Sequence, residues 1–289
     1  MAKLIQYTTN DSLYDGAFGG DVGWPAAGMG YLVVTAEGKL IAIDGGQTND
    51  AENFIELLEA NSLGKLPEVD CWIITHPHID HYGAIREISQ RQELKERIKV
   101  KKFLYWFPEE FCDKDGRANA LSGANNEMRG VCEAFNAEIY QPQRDDLFTL
   151  DDVELRFLYV PDDCSVLNSG GGNSNMCSFI FTVSGRNKKA MFTGDAYRRT
   201  MQITAWRYYK SLKCDILQMP HHALCDAFCV DFYRYVAPQI LFMPISKGAY
   251  RSMHSSLYEK LEGCIANLCV EAKAEKVYKA FEGTVTIEI

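Results

Sequence analysis

The sequence predicts an α/β fold, one sandwich of strands and helices spanning residues 1–289 as a single domain. Three observations carry that expectation. Short, β-prone apolar runs alternate with amphipathic helical stretches along the chain. The alternation recurs in two halves with no linker between them, which favours one continuous sandwich over two domains. The densest polar cluster, at 75–83, falls between a strand-like run and a helix-like run, where α/β proteins place chemistry.

Composition sets bounds. The chain is 47% hydrophobic, ample for a core, and its formal charge is −9. An acidic balance argues against a dedicated nucleic-acid wrapper, which shows a basic face. It leaves room for a small phosphorylated substrate held mainly by metal. The ten cysteines are scattered without a C-x-x-C pair, Cys225 and Cys229 being the closest. That pattern fits reduced thiols in a cytoplasmic protein. Residues 1–7 lack the apolar core of a signal peptide, and no run approaches the roughly 20 apolar residues of a membrane span.

Taken in order, 10–30 is a glycine-rich loop without phosphate-binding spacing, and its Trp24 is placed to pack over a site mouth. Residues 31–35 and 39–43 read as a hairpin turning at Glu37-Gly38 and ending in Asp44-Gly45-Gly46. Residues 51–60 carry Phe54, Ile55, Leu57 and Leu58 on one side, as a first helix does. A buried strand at 69–74 precedes the polar cluster. Residues 85–98 read as a charged helix and 100–107 as a strand. Residues 109–126 read as loop with some helix, a lid or a surface insertion, and 127–135 as helix. Strands follow at 151–160, 178–183 and 189–192, with a turn-rich loop at 161–175. Next come a helix at 196–212, a strand at 214–219, a helix at 228–236, a strand at 240–245, a helix at 255–268, and strands at 276–280 and 284–289.

The cluster itself reads His76-Pro77-His78-Ile79-Asp80-His81. Neutral imidazole suits zinc and similar ions, and carboxylate suits harder ones. In an extended segment alternate side chains point the same way, so His76 and His78 can grip one ion. Asp80 and His81, where the chain turns into a helix, can face a second. Downstream, Asp195 ends a strand behind Thr193-Gly194. A carboxylate there can bridge two ions held roughly 3.5–4 Å apart. His221 and His222 also end a strand. One of them can complete the second ion, His221 being the expected one, with His222 left for substrate or proton transfer.

These motifs resemble the metallo-β-lactamase superfamily. The resemblance implies an αβ/βα four-layer sandwich with a one- or two-metal site at one sheet edge, and hydrolysis by metal-bound hydroxide. It implies that Asp44 buttresses the site rather than ligating it. The family's usual further histidine, between cluster and bridging aspartate, has no counterpart here: no histidine lies between His81 and His221. Asn175, Asp163 or water is expected to fill that place, which makes Mn²⁺ or Fe²⁺ competitive with Zn²⁺. The motif order resembles the soluble hydrolase domain of DNA-uptake (competence) proteins and its free-standing relatives. It comprises an asparagine-rich turn, Thr-Gly-Asp, Pro-His-His and a late His254. Two departures, Gly20-Asp21-Val22-Gly23-Trp24-Pro25 and Ala223-Leu224, weaken any carry-over of substrate.

The expectation is a metal-dependent hydrolase of phosphodiester or related phosphate esters with two divalent ions. Asp80 would orient the nucleophile or take its proton, and His254 would contact substrate. The partner expected is a small anionic substrate, a nucleotide or nucleic-acid fragment among them. The alternatives are a lactone or thioester hydrolase of the same fold, or a non-catalytic metal-binding module.

Overall fold

The computed structural model describes residues 1–16, 27–108, 110–112, 118–120, 122–161, 174–224, 229–253 and 274–289. The strands are β1 Lys3–Gln6, β2 Gly30–Val34, β3 Leu40–Asp44, β4 Glu68–Ile73, β5 Lys99–Val100, β6 Lys102–Leu104, β7 Glu110–Cys112, β8 Ala118–Ala120, β9 Glu138–Tyr140, β10 Leu147–Leu150, β11 Val153–Tyr159, β12 Ile180–Ser184, β13 Lys189–Phe192, β14 Ile216–Gln218, β15 Ile240–Met243, β16 Lys276–Lys279 and β17 Val285–Glu288. The helices are α1 Ala51–Ala60, α2 Ile79–Gln90, α3 Gln92–Lys95, α4 Ser122–Phe135, α5 Arg198–Tyr208, α6 Val230–Val236 and α7 Lys247–Met253.

Two mixed sheets form, in the orders β17-β1-β2-β3-β4-β6-β9, with β5 beside β4, and β10-β11-β12-β13-β14-β15-β16. Period-two alternation decides which sheet face each side chain takes. In β3, Ile41 and Ile43 join Tyr31, Val33, Ile73, Leu155, Phe157, Phe181, Phe192 and Phe242 in the core between the sheets. Leu40 and Ala42 point the other way, to Phe54, Leu58, Ile85 and Ile88 of α1 and α2. On the far side Met201, Ala205, Phe232 and Val236 of α5 and α6 cover Met191, Leu217 and Leu241. Helices, sheet, sheet, helices: the four-layer α/β sandwich expected from the sequence is present.

The two halves share one strand plan. β1, β2 and β3 are antiparallel, then β3, β4, β6 and β9 run parallel. β11, β12 and β13 are antiparallel, then β13, β14, β15 and β16 run parallel. The third and fourth strands of each half therefore lie side by side and end at the same edge, the carboxyl edge at which open α/β sheets bind ligands.

Several elements differ from the sequence expectation. The charged helix breaks at Arg91, whose backbone is extended (φ −102°, ψ 110°), into α2 and α3. Within 109–126, β7 and β8 pair as an antiparallel ribbon, and α4 begins at Ser122. β1, β9, β10 and α7 have no counterpart among the elements the sequence predicts. β1 is four residues long and pairs with β2 and with the distant β17, contacts that no local pattern encodes. The expected helix at 255–268, the loop at 162–173 and Trp24 lie outside the described residues.

Candidate metal centre

Four donors come from the segment after β4. Its backbone is fixed by Asp44, which ends β3 with a left-handed φ of 54°. Asp44 Oδ1 accepts the Thr75 amide at 2.8 Å, and Oδ2 accepts the Thr75 hydroxyl at 2.9 Å. His81 Nδ1 donates to the same Oδ2 at 2.8 Å. That bond fixes the tautomer: with the proton on Nδ1, the lone pair of Nε2 faces the other way. Trp72 Nε1 donates to the Asp44 carbonyl at 2.7 Å, tying the carboxylate's own backbone to β4. Asp44 thus bonds both the loop's threonine and one of its histidines.

The second half meets this loop at Gly194. Its φ is 50°, and a Cβ there would stand 2.8 Å from Thr75 Oγ1 and 2.9 Å from Thr75 Cβ. Glycine is required by both counts. Asp195 follows, its amide donating to Ser178 Oγ at 3.0 Å. Gln218 at the end of β14 accepts the Thr193 amide at 2.7 Å and donates to the Gly194 carbonyl at 3.1 Å. The Asp195 carboxylate is left facing the histidines. Oδ1 is 3.3 Å from His81 Nε2, and Oδ2 is 3.6 Å from His76 Nε2 and 3.5 Å from His222 Nε2.

Two donor groups result, Asp80-His81-Asp195-His222 and His76-His78-Asp195, sharing Asp195. In the first, His222 Nε2 stands 3.2 Å from Asp80 Oδ2, while its Nδ1 donates to the Pro244 carbonyl at 2.9 Å. The sequence favoured His221 for this place; the fold puts His222 there. The reason is the turn: His221, His222 and Ala223 have φ of 45°, 53° and 62° in succession. This left-handed run, at a cost of roughly 1–2 kcal/mol per residue, turns the His222 ring inward. His221 Nε2 lies instead 3.8 Å from Asp195 Oδ2 and 3.1 Å from Asn175 Nδ2, with its ring edge-on to Tyr197. His78 Nε2 hydrogen-bonds Ser174 Oγ. His254 and Asp163 lie outside the described residues.

Electrostatics and geometry both fit a cation. Burial raises Asp44, with His81 and Thr75 acting against it. Burial would also raise Asp195, but His222, His81 and His76 hold it well below the carboxylate range. Asp80 is lowered too: burial opposes, and His81 and His222 prevail. His76 and His78 are pushed down by burial. Burial works against charging His81 and His222, but the surrounding carboxylates outweigh it: His81 rises well above its ordinary value and His222 to about 10. The buried carboxylates therefore favour positive charge at this centre, which a bound cation would supply. Among the described residues, His76 Nε2, His81 Nε2, His222 Nε2 and Asp195 Oδ1 are buried without a hydrogen-bond partner. Donors on a tetrahedral ion with bonds of about 2.1 Å stand roughly 3.4 Å apart, the spacing observed around Asp195. The donor set fits divalent metal.

Sequence reasoning missed the supports: Thr75, Ser174, Ser178, Tyr197, Gln218 and the Pro244 carbonyl. Thr75 heads the motif, so its place beside the cluster is visible in the sequence. Gln218 and Pro244 act through strand neighbours, which leave no local signal.

Residues 24–227 match the family model described as the metallo-beta-lactamase superfamily. Among solved structures, the fold protein YhfI from Bacillus subtilis aligns at TM-score 0.58 and 12% identity, over 99% of this chain and 100% of its own. Zn²⁺-bound PqqB from Methylobacterium extorquens aligns at TM-score 0.58 and 10% identity over 100% of both chains. Yeast PDE1 aligns at 0.54 and 10% identity, again over 100% of both. At these identities the likeness is one of fold. No curated protein matches the chain by sequence.

Proposed function

We propose a function from one premise: the chain belongs to the metallo-beta-lactamase superfamily, whose members are mostly metal-dependent hydrolases. The reading is a hydrolase of phosphodiester or related phosphate-ester bonds that uses two divalent ions, Zn²⁺ or Mn²⁺, with Fe²⁺ as a third candidate. The observation that carries it is the pair of donor groups sharing Asp195. Such a pair of ions stabilises a developing oxyanion and brings the pKa of water toward neutrality.

The chain's own residues divide the remaining work. Asp195 would be shared between the two ions, with His76 and His78 holding one and Asp80, His81 and His222 the other. Asp44 fixes His81 by its Nδ1–H, and Pro244 fixes His222 in the same way. Asp80 is the most open of the carboxylates at the site, its side chain 21% exposed, so it is the group able to orient a water and take its proton. His221 and Asn175 stand beside the centre as polar contacts for an anionic substrate. His254 is kept as a substrate contact on the motif order alone. The partner this reading implies is a small anionic substrate, a nucleotide or nucleic-acid fragment included.

We also read residues 1–289 as one domain in the cytoplasm. No helix among the described residues is long and apolar enough to cross a membrane. Cys71, Cys132, Cys177, Cys214 and Cys229 are free and buried, as reduced thiols are.

The test is hydrolysis of a chromogenic phosphodiester with added Mn²⁺ or Zn²⁺, wild type against Asp195→Ala. Turnover that vanishes in the variant supports the proposal. No turnover by metal-loaded wild type removes the phosphodiester class. Lactones and thioesters would then be assayed, and inactivity on those too would leave a binding module.

A further inference from the structure

The two donor groups are unequal. Asp80, His81, Asp195 and His222 give one ion four protein donors; His76, His78 and Asp195 give the other three. From residue 82 to residue 220 there is no histidine to supply a fourth. We infer that His221, the neighbour of a ligand and not a substrate contact alone, is the fourth protein donor of the His76-His78 ion. The inference rests on the dinuclear reading above and deepens it.

Three observations converge on His221. Its Nε2 stands 3.8 Å from Asp195 Oδ2, close to the 3.6 Å of His76 Nε2 from that same oxygen. Asp195 Oδ2 thus faces His76, His221 and His222, with the His221 and His222 ring centroids 6.1 Å apart. One carboxylate oxygen lies between two diverging imidazoles from adjacent residues.

The second observation is the backbone. His221, His222 and Ala223 are all left-handed, and none is glycine. Strain of this kind persists where surrounding structure demands it, and it gathers at functional sites. An ordinary turn would spare one or more of the three. This turn instead brings consecutive imidazoles to Asp195 Oδ2, at 3.8 Å for His221 and 3.5 Å for His222.

The third is support. The His221 amide donates to the Gly194 carbonyl at 3.1 Å, tying its backbone to the residue before Asp195. Its ring packs edge-on against Tyr197, 5.2 Å between centroids. Asn175 Nδ2 donates to His221 Nε2 at 3.1 Å, so that nitrogen presents a lone pair, and Asn175 is the neighbour in sequence of Ser174, which bonds His78. Closing on the ion exchanges this amide contact for a metal bond, so the ion competes with Asn175 for His221. The His76-His78 position is accordingly the weaker of the two.

The test is metal binding without substrate. Full-length protein is stripped with chelator and titrated with Co²⁺, read by d–d absorption and by metal analysis. The wild type takes up two ions, the tighter one first. His221→Ala keeps the tight ion and loses at least tenfold in affinity for the second; retention of the tight ion shows that the variant is folded. His221→Gly, which also relieves the left-handed strain, gains apo stability yet loses the second ion to the same degree. His222→Ala loses the tight ion instead. Two ions bound by His221→Ala with wild-type affinity overturn this inference and leave the dinuclear reading standing. A wild type that binds one ion or none overturns both.

Discussion

The two halves of the molecule follow the same strand plan and put it to different uses. In the first half the carboxylate at the end of the third strand, Asp44, turns toward Thr75 and His81 and supports them. In the second half the carboxylate just past the third strand, Asp195, turns into the cluster of histidines. After the fourth strand the first half delivers His76, His78, Asp80 and His81 in six residues. The second half delivers His221 and His222 from a strained turn. Strand-end position therefore brings a carboxylate to the site edge, while the facing residue decides its role. Thr75 offers Asp44 two donors, so that carboxylate is satisfied within its own half. Asp195 has Ser178 beneath its amide and imidazoles above.

Exchanging these roles by mutation breaks the comparison where it matters. Asp195→Ala is expected to lower phosphodiester turnover by about 10³-fold or more, because both donor groups lose a member. Asp44→Asn keeps the shape but not the charge that orients His81. Steady-state kinetics and metal titration are expected to show a loss of about 10–100-fold in activity or metal affinity. Equal losses in the two variants would contradict the division of labour between the carboxylates.

Gly194→Ala probes the seam between the halves. A Cβ inside 3 Å of Thr75 at a φ of 50° is expected to cost about 1–3 kcal/mol, read as a shift in urea midpoint. Gly45→Ala is the control in the first half. A Cβ there meets Ala84 Cβ at 3.4 Å, ordinary contact, and the change is expected to be milder.

The smallest expected effect belongs to the first half alone. Asp50 accepts the amides of Asn10 and Gln47, and burial pushes its carboxyl from 3.8 up to about 6. A raised folded pKa means that its contribution is complete below the unfolded value and is lost as pH rises through the folded one. Between pH 4 and 6 the wild type should lose on the order of 1–2 kcal/mol relative to Asp50→Asn. Parallel stability curves for the two proteins over that range would contradict the assignment.

What the sequence made legible follows the same asymmetry. The first half's donors are contiguous, so spacing alone grouped His76 with His78 and Asp80 with His81, and the fold brings both pairs to Asp195. In the second half the choice between His221 and His222 depended on backbone angles that no residue type signals, since neither is glycine. A strand with clear alternation, such as β11, is readable; β1 is not, because its partners are β2 and the distant β17. Arg91 breaks the charged helix without a proline or glycine to announce it.

Asp195 is the residue at which bound metal would join the two halves. Thermal unfolding of chelated and Zn²⁺- or Mn²⁺-loaded protein, wild type beside Asp195→Ala, tests it most directly. Ligand linkage predicts a gain of about 3 kcal/mol at a hundredfold excess over Kd, several degrees in Tm for a chain of this size. That gain is expected in the wild type, and most of it is expected to be lost in the variant. Equal gains in both proteins, or none in the wild type, would contradict it.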